Sequence, residues 1–128
     1  MNSDVNQVAT SALAYLGDCV IELRVRNYLV SERGLSSAAS LNREALNFVR
    51  AAAQSEAMNY IEPLLDEEEM TAYRRGRNIG HTNVPKSASV SEYRRATGME
   101  ALFGYLHLLG REDRIDELFR AGYLLDKD

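Results

Sequence analysis

Two isolated carboxylates, Asp18 and Glu100, stand out because each interrupts a run of mostly apolar residues, 12–23 and 97–110. A glycine accompanies each acid, one residue before Asp18 and four residues after Glu100. A buried carboxylate must be protonated, neutralised or bound to a cation, and oxygen ligands suit a hard ion such as Mg²⁺. If both runs are helices that cross at their glycines, where backbones can approach closely, the two acids predict a shared metal site.

The same acids have two plainer explanations. An acid on an apolar helix can lie at the edge of the apolar stripe in contact with water, or it can pair with a nearby arginine. Glu22, one turn after Asp18, either joins the metal site or pairs with Arg26 at i+4 as a solvated residue. Spacing alone leaves these alternatives open.

A basic segment between residues 73 and 95 is the second candidate for chemistry. It holds six basic residues and one acidic residue, about +5 in all, although the whole chain carries −4. Basic side chains neutralise nucleic-acid phosphates, so the segment predicts binding along one edge of an otherwise acidic protein. The alternative is a solvated helix end with loop charges. The basic residues are Arg74, Arg75, Arg77, Lys86, Arg94 and Arg95.

Helical periodicity predicts an all-α protein, because no alternating strand pattern is present. With 128 residues, 45% of them apolar, the chain predicts one domain over residues 1–128. Glycine, asparagine and proline in residues 74–89 predict a long exposed loop. The predicted helical segments are 4–32, 38–62 (two helices), a capped helix from 66 into the basic segment, 89–109, and 111–121 followed by a glycine.

The first helix is predicted to be apolar nearly all round, which favours burial against two neighbours. Ala14 and Ile21 lie opposite its main stripe, and we predict that this second side forms a dimer contact. Cys19, the only cysteine, lies on the stripe and is predicted to be a small core residue. No apolar run approaches the roughly 18 residues of a membrane span, and the acidic amino terminus does not suit a signal peptide, so we expect a cytoplasmic protein without a membrane partner.

The run LAYLGD at residues 13–18 resembles the signature helix of the ribonuclease III family. Together with RRGRN (74–78), VPK (84–86) and YRRATGMEALFGYLHLLGR (93–111), it makes nearly the whole chain similar to the mini-ribonuclease III branch, whose members consist of the nuclease domain alone. The resemblance implies a helical homodimer with the ribonuclease III endonuclease fold and no double-stranded RNA-binding domain. It also implies cleavage of double-stranded RNA with Mg²⁺, or with Mn²⁺ in its place, to mature 23S ribosomal RNA precursors.

Carried over by position, the resemblance implies that Asp18 and Glu100 are the catalytic residues and metal ligands. It assigns RNA contact to Asn78 and to the basic residues named above. Larger members of the family have further acids where this chain has Ala14 and Thr97. The metal site here would therefore use fewer protein carboxylates.

Two histidines, His81 and His107, are the other candidates for acid–base chemistry, and we predict packing or RNA contact for both. The rival function is a non-catalytic RNA-binding or ribosome-assembly protein with the same fold, which loss of Asp18 or Glu100 would have favoured. A protein that binds only other proteins would leave the basic segment without a purpose. Without a separate RNA-binding domain, we expect a folded substrate or a helper, such as a ribosomal protein that presents the RNA.

Overall fold

The fold, in a computed structural model that describes residues 4–79 and 89–124, is all-α within those ranges. Short 3₁₀ turns cover Val5–Gln7 and Glu62–Leu64, and a π-helical turn over Tyr28–Glu32 extends the first helix. Among the described residues, no helix combines the length and apolar character needed to cross a membrane. In these two ranges the α-helices are α1 (Thr10–Asn27), α2 (Ala38–Val49), α3 (Ala51–Ile61), α4 (Glu67–Arg77), α5 (Val90–Leu108) and α6 (Glu112–Tyr123).

The helix ends follow the local sequence signals. Capping boxes start α4 at Asp66 and α5 at Ser89, where the cap side chain and a glutamate three residues later satisfy backbone N–H groups reciprocally. Gly34 and Gly110 adopt φ values of +67° and +75° just after the π turn and α5, a conformation that side chains other than glycine rarely adopt. These predicted boundaries are confirmed.

The predicted start of the first helix at residue 4 is wrong, because Val5–Gln7 form a 3₁₀ turn, Val8 is extended, and α1 begins at Thr10. Two further boundaries, predicted from glycines, are wrong because close packing overrides the local signal. Residues 74–77 are the last turn of α4 instead of loop, because Gly76 packs against α5, where an added Cβ would lie 2.6 Å from the Cβ of Ala101. Gly122 lies inside α6 instead of after it, because the helix rests there on Ala57 and Ile61 of α3. Both glycines permit helix–helix contact and do not end a helix.

The central helix is α5, which packs against α1, α3, α4 and α6. Every residue from Ala96 to Leu106 is buried except Glu100, which is half-buried. The apolar run that predicted a buried helix is therefore the core of the domain. Its one acid sits where α5 meets α1.

One side of α1 contributes Leu13, Ile21 and Val25 to the core, all three fully buried. The opposite side is exposed, including Tyr15 (86% exposed) and Cys19. The predictions that Ile21 forms a second, outer face and that Cys19 is a core residue are therefore wrong. The physical reason is that α5 covers only one side of α1, and Ile21 lies on that side.

A buried ion pair joins α6 to the start of α4. Glu69 is 1% exposed, and its two carboxylate oxygens each accept a 2.8 Å hydrogen bond from the Arg114 guanidinium. The same guanidinium donates to the carbonyl of Leu64 at 2.7 Å. These bonds satisfy the buried carboxylate and the half-buried guanidinium and hold α6 against the bundle.

Candidate active site and nucleic-acid groove

The candidate active site lies where α1 crosses α5 with their backbones in contact. A Cβ added to Gly17 would lie 1.6 Å from the carbonyl oxygen of Glu100, and one added to Gly104 would lie 2.0 Å from the carbonyl oxygen of Leu13. Only glycine fits at either position. The predicted crossing at these two glycines is confirmed, and it places Asp18, the next residue after Gly17, beside Glu100.

The two carboxylates interact directly. The pKa of Glu100 is raised to about 8, chiefly by burial, then by the negative charge of Asp18 and by a hydrogen bond to the Asp18 side chain. Asp18 itself is exposed. Within the described residues, neither acid forms an ion pair with a basic side chain, in contrast to Glu22, which accepts a 3.3 Å ion pair from Arg26.

The surroundings of the pair offer no third acid from the described residues, where no group of three or more His, Cys, Asp or Glu side chains could hold a metal ion. Thr97, one turn before Glu100, is buried and donates its hydroxyl to the Tyr93 carbonyl at 3.0 Å. Tyr123 donates its hydroxyl to the Phe48 carbonyl at 2.8 Å, and burial, then the charge of Glu100, raise its pKa. Two adjacent carboxylates without a cationic partner fit a hard cation that keeps several water ligands.

A basic groove opens where the ends of α3, α4 and α5 meet, with a volume of about 510 Å³. Four of the predicted RNA-contact residues line it, namely Arg77, Asn78, Arg94 and Arg95. Tyr73 forms part of its wall, and the Arg77 guanidinium lies 5.9 Å from the centre of the Tyr73 ring. The groove thus gathers cations from two segments of the chain on either side of residues 80–88, the part of the predicted loop that lies outside the described residues.

Comparison with known proteins places this arrangement in a family, since residues 11–111 match the family model of the ribonuclease III domain. The chain belongs to the ribonuclease III family. It is 45% identical over 109 residues to the mini-ribonuclease 3 of Symbiobacterium thermophilum, covering 85% of this chain and 83% of that protein. It is 43% identical over 117 residues to the mini-ribonuclease 3 of Enterococcus faecalis, covering 90% and 88%.

The fold is also that of a crystal structure of a protein from Fusobacterium nucleatum. The two superpose with a TM-score of 0.82 at 32% identity, over 91% of this chain and 93% of that one. Together with the family model and the names of the relatives, this makes the chain an endoribonuclease of the ribonuclease III family. The resemblance to mini-ribonuclease III is confirmed.

The remaining candidates for RNA contact in this endoribonuclease are placed differently. Arg74 is exposed on the last turn of α4. Arg75 donates from Nε to the Thr10 hydroxyl and from a terminal nitrogen to the Val8 carbonyl, both at 3.0 Å, so it fastens the start of α1 to α4. Lys86 lies outside the described residues.

The histidines take no part in the carboxylate site as far as the structure describes them. His107 lies at the exposed end of α5, where its Nδ1 is 2.9 Å from an oxygen of Glu112. His81 lies outside the described residues. In place of the predicted packing or RNA contact, His107 therefore makes a side-chain hydrogen bond with Glu112 at a helix end.

Sequence reasoning missed the contribution of α3 to the groove. Asn59 and Glu62 line it beside Arg95, although they lie outside the basic segment. The only available signal was their polarity at the end of a helix, which is common in helical proteins. Their position follows from the packing of α3 against α5.

We expect the metal-free protein to lose stability as the pH rises from about 4.5 to about 8. Between these values folded Glu100 keeps a proton that the unfolded chain has released, so the unfolded state binds fewer protons and each rise in pH favours it. Urea unfolding at about pH 5 and about pH 8 should show this fall in the parent and a smaller fall in Glu100→Gln. Glu56→Gln, an exposed acid on α3, is the control. If the free energy of unfolding changes equally with pH in the parent and in Glu100→Gln, the raised pKa of Glu100 is contradicted.

Proposed function

We propose that this endoribonuclease cleaves double-stranded RNA with Mg²⁺ held by Asp18 and Glu100, and that it matures the ends of 23S ribosomal RNA precursors in the cytoplasm. The observation that carries the proposal is the pair of adjacent carboxylates at the α1–α5 crossing, neither of them paired with a cationic side chain in the described ranges. Membership of the ribonuclease III family supports the reaction class. The 23S assignment rests on the resemblance to mini-ribonuclease III.

The chemistry divides between the ion and the chain. When bound, Mg²⁺, or Mn²⁺ in its place, acts as a Lewis acid on the scissile phosphate and on water. Exposed Asp18 offers an oxygen ligand at the surface that the RNA reaches. Half-buried Glu100, whose pKa is raised in the metal-free chain, would have to give up its proton to serve as the second oxygen ligand. Close backbone contact at Gly17 and Gly104 holds the two ligands in place.

RNA binding in this proposal uses the basic groove. Proteins recognise A-form RNA by its shape, its phosphates and its 2′-hydroxyls, because its deep major groove is closed to side chains. Arg77 and Arg94 supply charge for phosphates, and Asn78 adds a polar amide. Arg75 would act indirectly, since its guanidinium is bonded within the chain.

A homodimer is the proposed assembly, and the exposed side of α1 is its proposed interface. Tyr15, Cys19 and Leu23 form an apolar strip there that continues to Val30. Contiguous exposed apolar surface marks interaction sites, and a twofold axis gives two related active sites for the two strands of a duplex. This strip replaces the interface first predicted around Ile21, which is a core residue.

Leu23→Asp should convert the dimer to a folded monomer, because it places a charge in the centre of the proposed interface. Leu23 is 65% exposed in the single chain, so the substitution leaves the core intact. Sedimentation velocity gives the mass, and Leu64→Asp, which changes another exposed leucine, is the control. A Leu23→Asp protein that sediments as the parent dimer would place the interface elsewhere.

The function itself is tested with an end-labelled RNA hairpin and a single strand of the same composition. Internal cuts in the duplex with Mg²⁺, and none with EDTA or in the single strand, are the expected result. Duplex binding without any cut in Mg²⁺ would instead support a non-catalytic RNA-binding protein. A transcript that pairs the two ends of a 23S precursor, tested with and without ribosomal proteins, examines the substrate and the predicted helper.

A further inference from the structure

Among the described residues that line the basic groove, Glu62 is the one carboxylate, and it lies in the 3₁₀ turn that follows α3. It is half-buried and shares the groove with Arg77, Arg94 and Arg95. Within residues 4–79 and 89–124, no basic nitrogen approaches it closely enough to form an ion pair. An acceptor that is not engaged by these neighbouring arginines is available to a ligand in the groove.

Neighbouring Asn59 offers hydrogen-bond donors to the groove, whereas Glu62 offers an acceptor. Arg95 donates to the Asn59 side-chain oxygen at 3.0 Å and to the Ser55 hydroxyl at 3.1 Å. This anchors the guanidinium to α3 and occupies an acceptor of Asn59, so the Asn59 amide presents its N–H groups as donors. Glu62 follows Asn59 by three residues, close to one helical turn. An acceptor and a donor therefore line the same part of the groove.

A phosphate is not a suitable ligand for the Glu62 carboxylate, because a phosphate offers only hydrogen-bond acceptors and would be repelled by the negative charge. The RNA backbone has one donor, the ribose 2′-hydroxyl, which is also an acceptor. A carboxylate beside an amide matches both capacities of that group. Hydrogen bonds to charged groups are the stronger kind, so the pair can separate ribose from deoxyribose.

We propose that Glu62, assisted by Asn59, is a specificity-determining residue that accepts a hydrogen bond from a ribose 2′-hydroxyl of the bound RNA. The inference rests on the proposed function, because it requires the basic groove to bind RNA. Arg77 and Arg94 then hold the strand by charge, and Glu62 recognises it as RNA.

The test is a scan of single 2′-deoxy substitutions along an RNA duplex, with affinity measured without divalent ions so that no cleavage occurs. In the parent protein, at least one position should weaken binding by about tenfold. Glu62→Ala should remove that sensitivity, and Glu62→Gln, which keeps an acceptor oxygen but not its charge, should retain part of it. Glu56→Ala removes an exposed acid of α3 outside the groove and should behave as the parent. Thermal melting checks that each variant folds.

The outcomes separate this inference from the proposed function. If Arg94→Ala weakens RNA binding but Glu62→Ala keeps the 2′-deoxy sensitivity, the role of Glu62 is overturned and the groove remains the RNA site. If replacing guanosine with inosine removes the effect of Glu62 and 2′-deoxy substitution does not, the carboxylate binds a base amino group. The inference is then likewise overturned. If Arg94→Ala leaves RNA affinity unchanged, the RNA lies elsewhere and the proposed function loses its binding site as well.

Discussion

Asp18→Asn is expected to reduce RNA cleavage by roughly a thousandfold or more. The substitution keeps the side-chain shape but removes the negative charge, which leaves a poor ligand for a hard cation. Metal activation contributes several kcal/mol to such reactions, and each 1.36 kcal/mol is about a factor of ten in rate. Single-turnover cleavage of a duplex RNA at saturating protein measures the effect without contributions from product release.

Two further measurements on Asp18→Asn separate a catalytic role from a structural one. RNA affinity without metal should persist, because the arginines remain and one repulsive charge is gone. The metal-free variant should be no less stable than the parent, because the loss of the Asp18 charge lowers the pKa of Glu100 and relieves the repulsion between the acids. Glu22→Gln, on the same helix and paired with Arg26, is the control and should cleave RNA at close to the parent rate. Near-parental cleavage by Asp18→Asn would refute the catalytic assignment, and inactivity with a much lower melting temperature would make Asp18 a structural residue.

Gly17→Ala is expected to destabilise the protein by about 3 kcal/mol or more. The added methyl carbon would lie 1.6 Å from the carbonyl oxygen of Glu100, and a helix backbone has no flexible end that could move away. The two helices must therefore separate, which also moves Asp18 from Glu100. Displacement of a reacting group by about 1 Å can cost a hundredfold in rate, so cleavage per folded molecule should fall as well. Urea unfolding gives the free energy, and single-turnover cleavage below the transition gives the rate.

Gly122→Ala is the matched control for this prediction. It adds the same methyl group to a buried helical glycine, but the nearest atom, at 2.7 Å, is the end of the Ile61 side chain, and the Ala57 Cβ lies farther away at 3.1 Å. That side chain can rotate, and alanine favours the helix by up to about 1 kcal/mol over glycine, so a net change of about 1 kcal/mol or less is expected. Cleavage per folded molecule should stay the same. If Gly17→Ala has the same unfolding free energy and the same cleavage rate as Gly122→Ala, the crossing of α1 and α5 does not hold the active site together.

The sequence by itself determined the helical class, most of the helix boundaries, the family and the two candidate acids. Periodicity, capping residues and glycines at positive φ act over a few neighbouring residues, and for that reason the starts of α4 and α5 and the stop at Gly110 could be located without a structure. Asp18 and Glu100 could be singled out because a charge within an apolar helix is unfavourable unless it has a partner. The glycine beside each acid indicated the helix crossing.

Only the tertiary structure decided which partner each side chain has. A helical pattern shows that Ile21 and Cys19 lie on different sides of α1, but the position of α5, its main neighbour, decides that Ile21 is core and Cys19 is exposed. Charge shows that Arg75 is cationic, but the carbonyl of Val8 and the hydroxyl of Thr10, far away in the chain, decide that it binds α1. Glu62 joins the basic groove for the same reason. Partners of this kind depend on distances between residues remote in sequence, and those distances exist only once the helices pack.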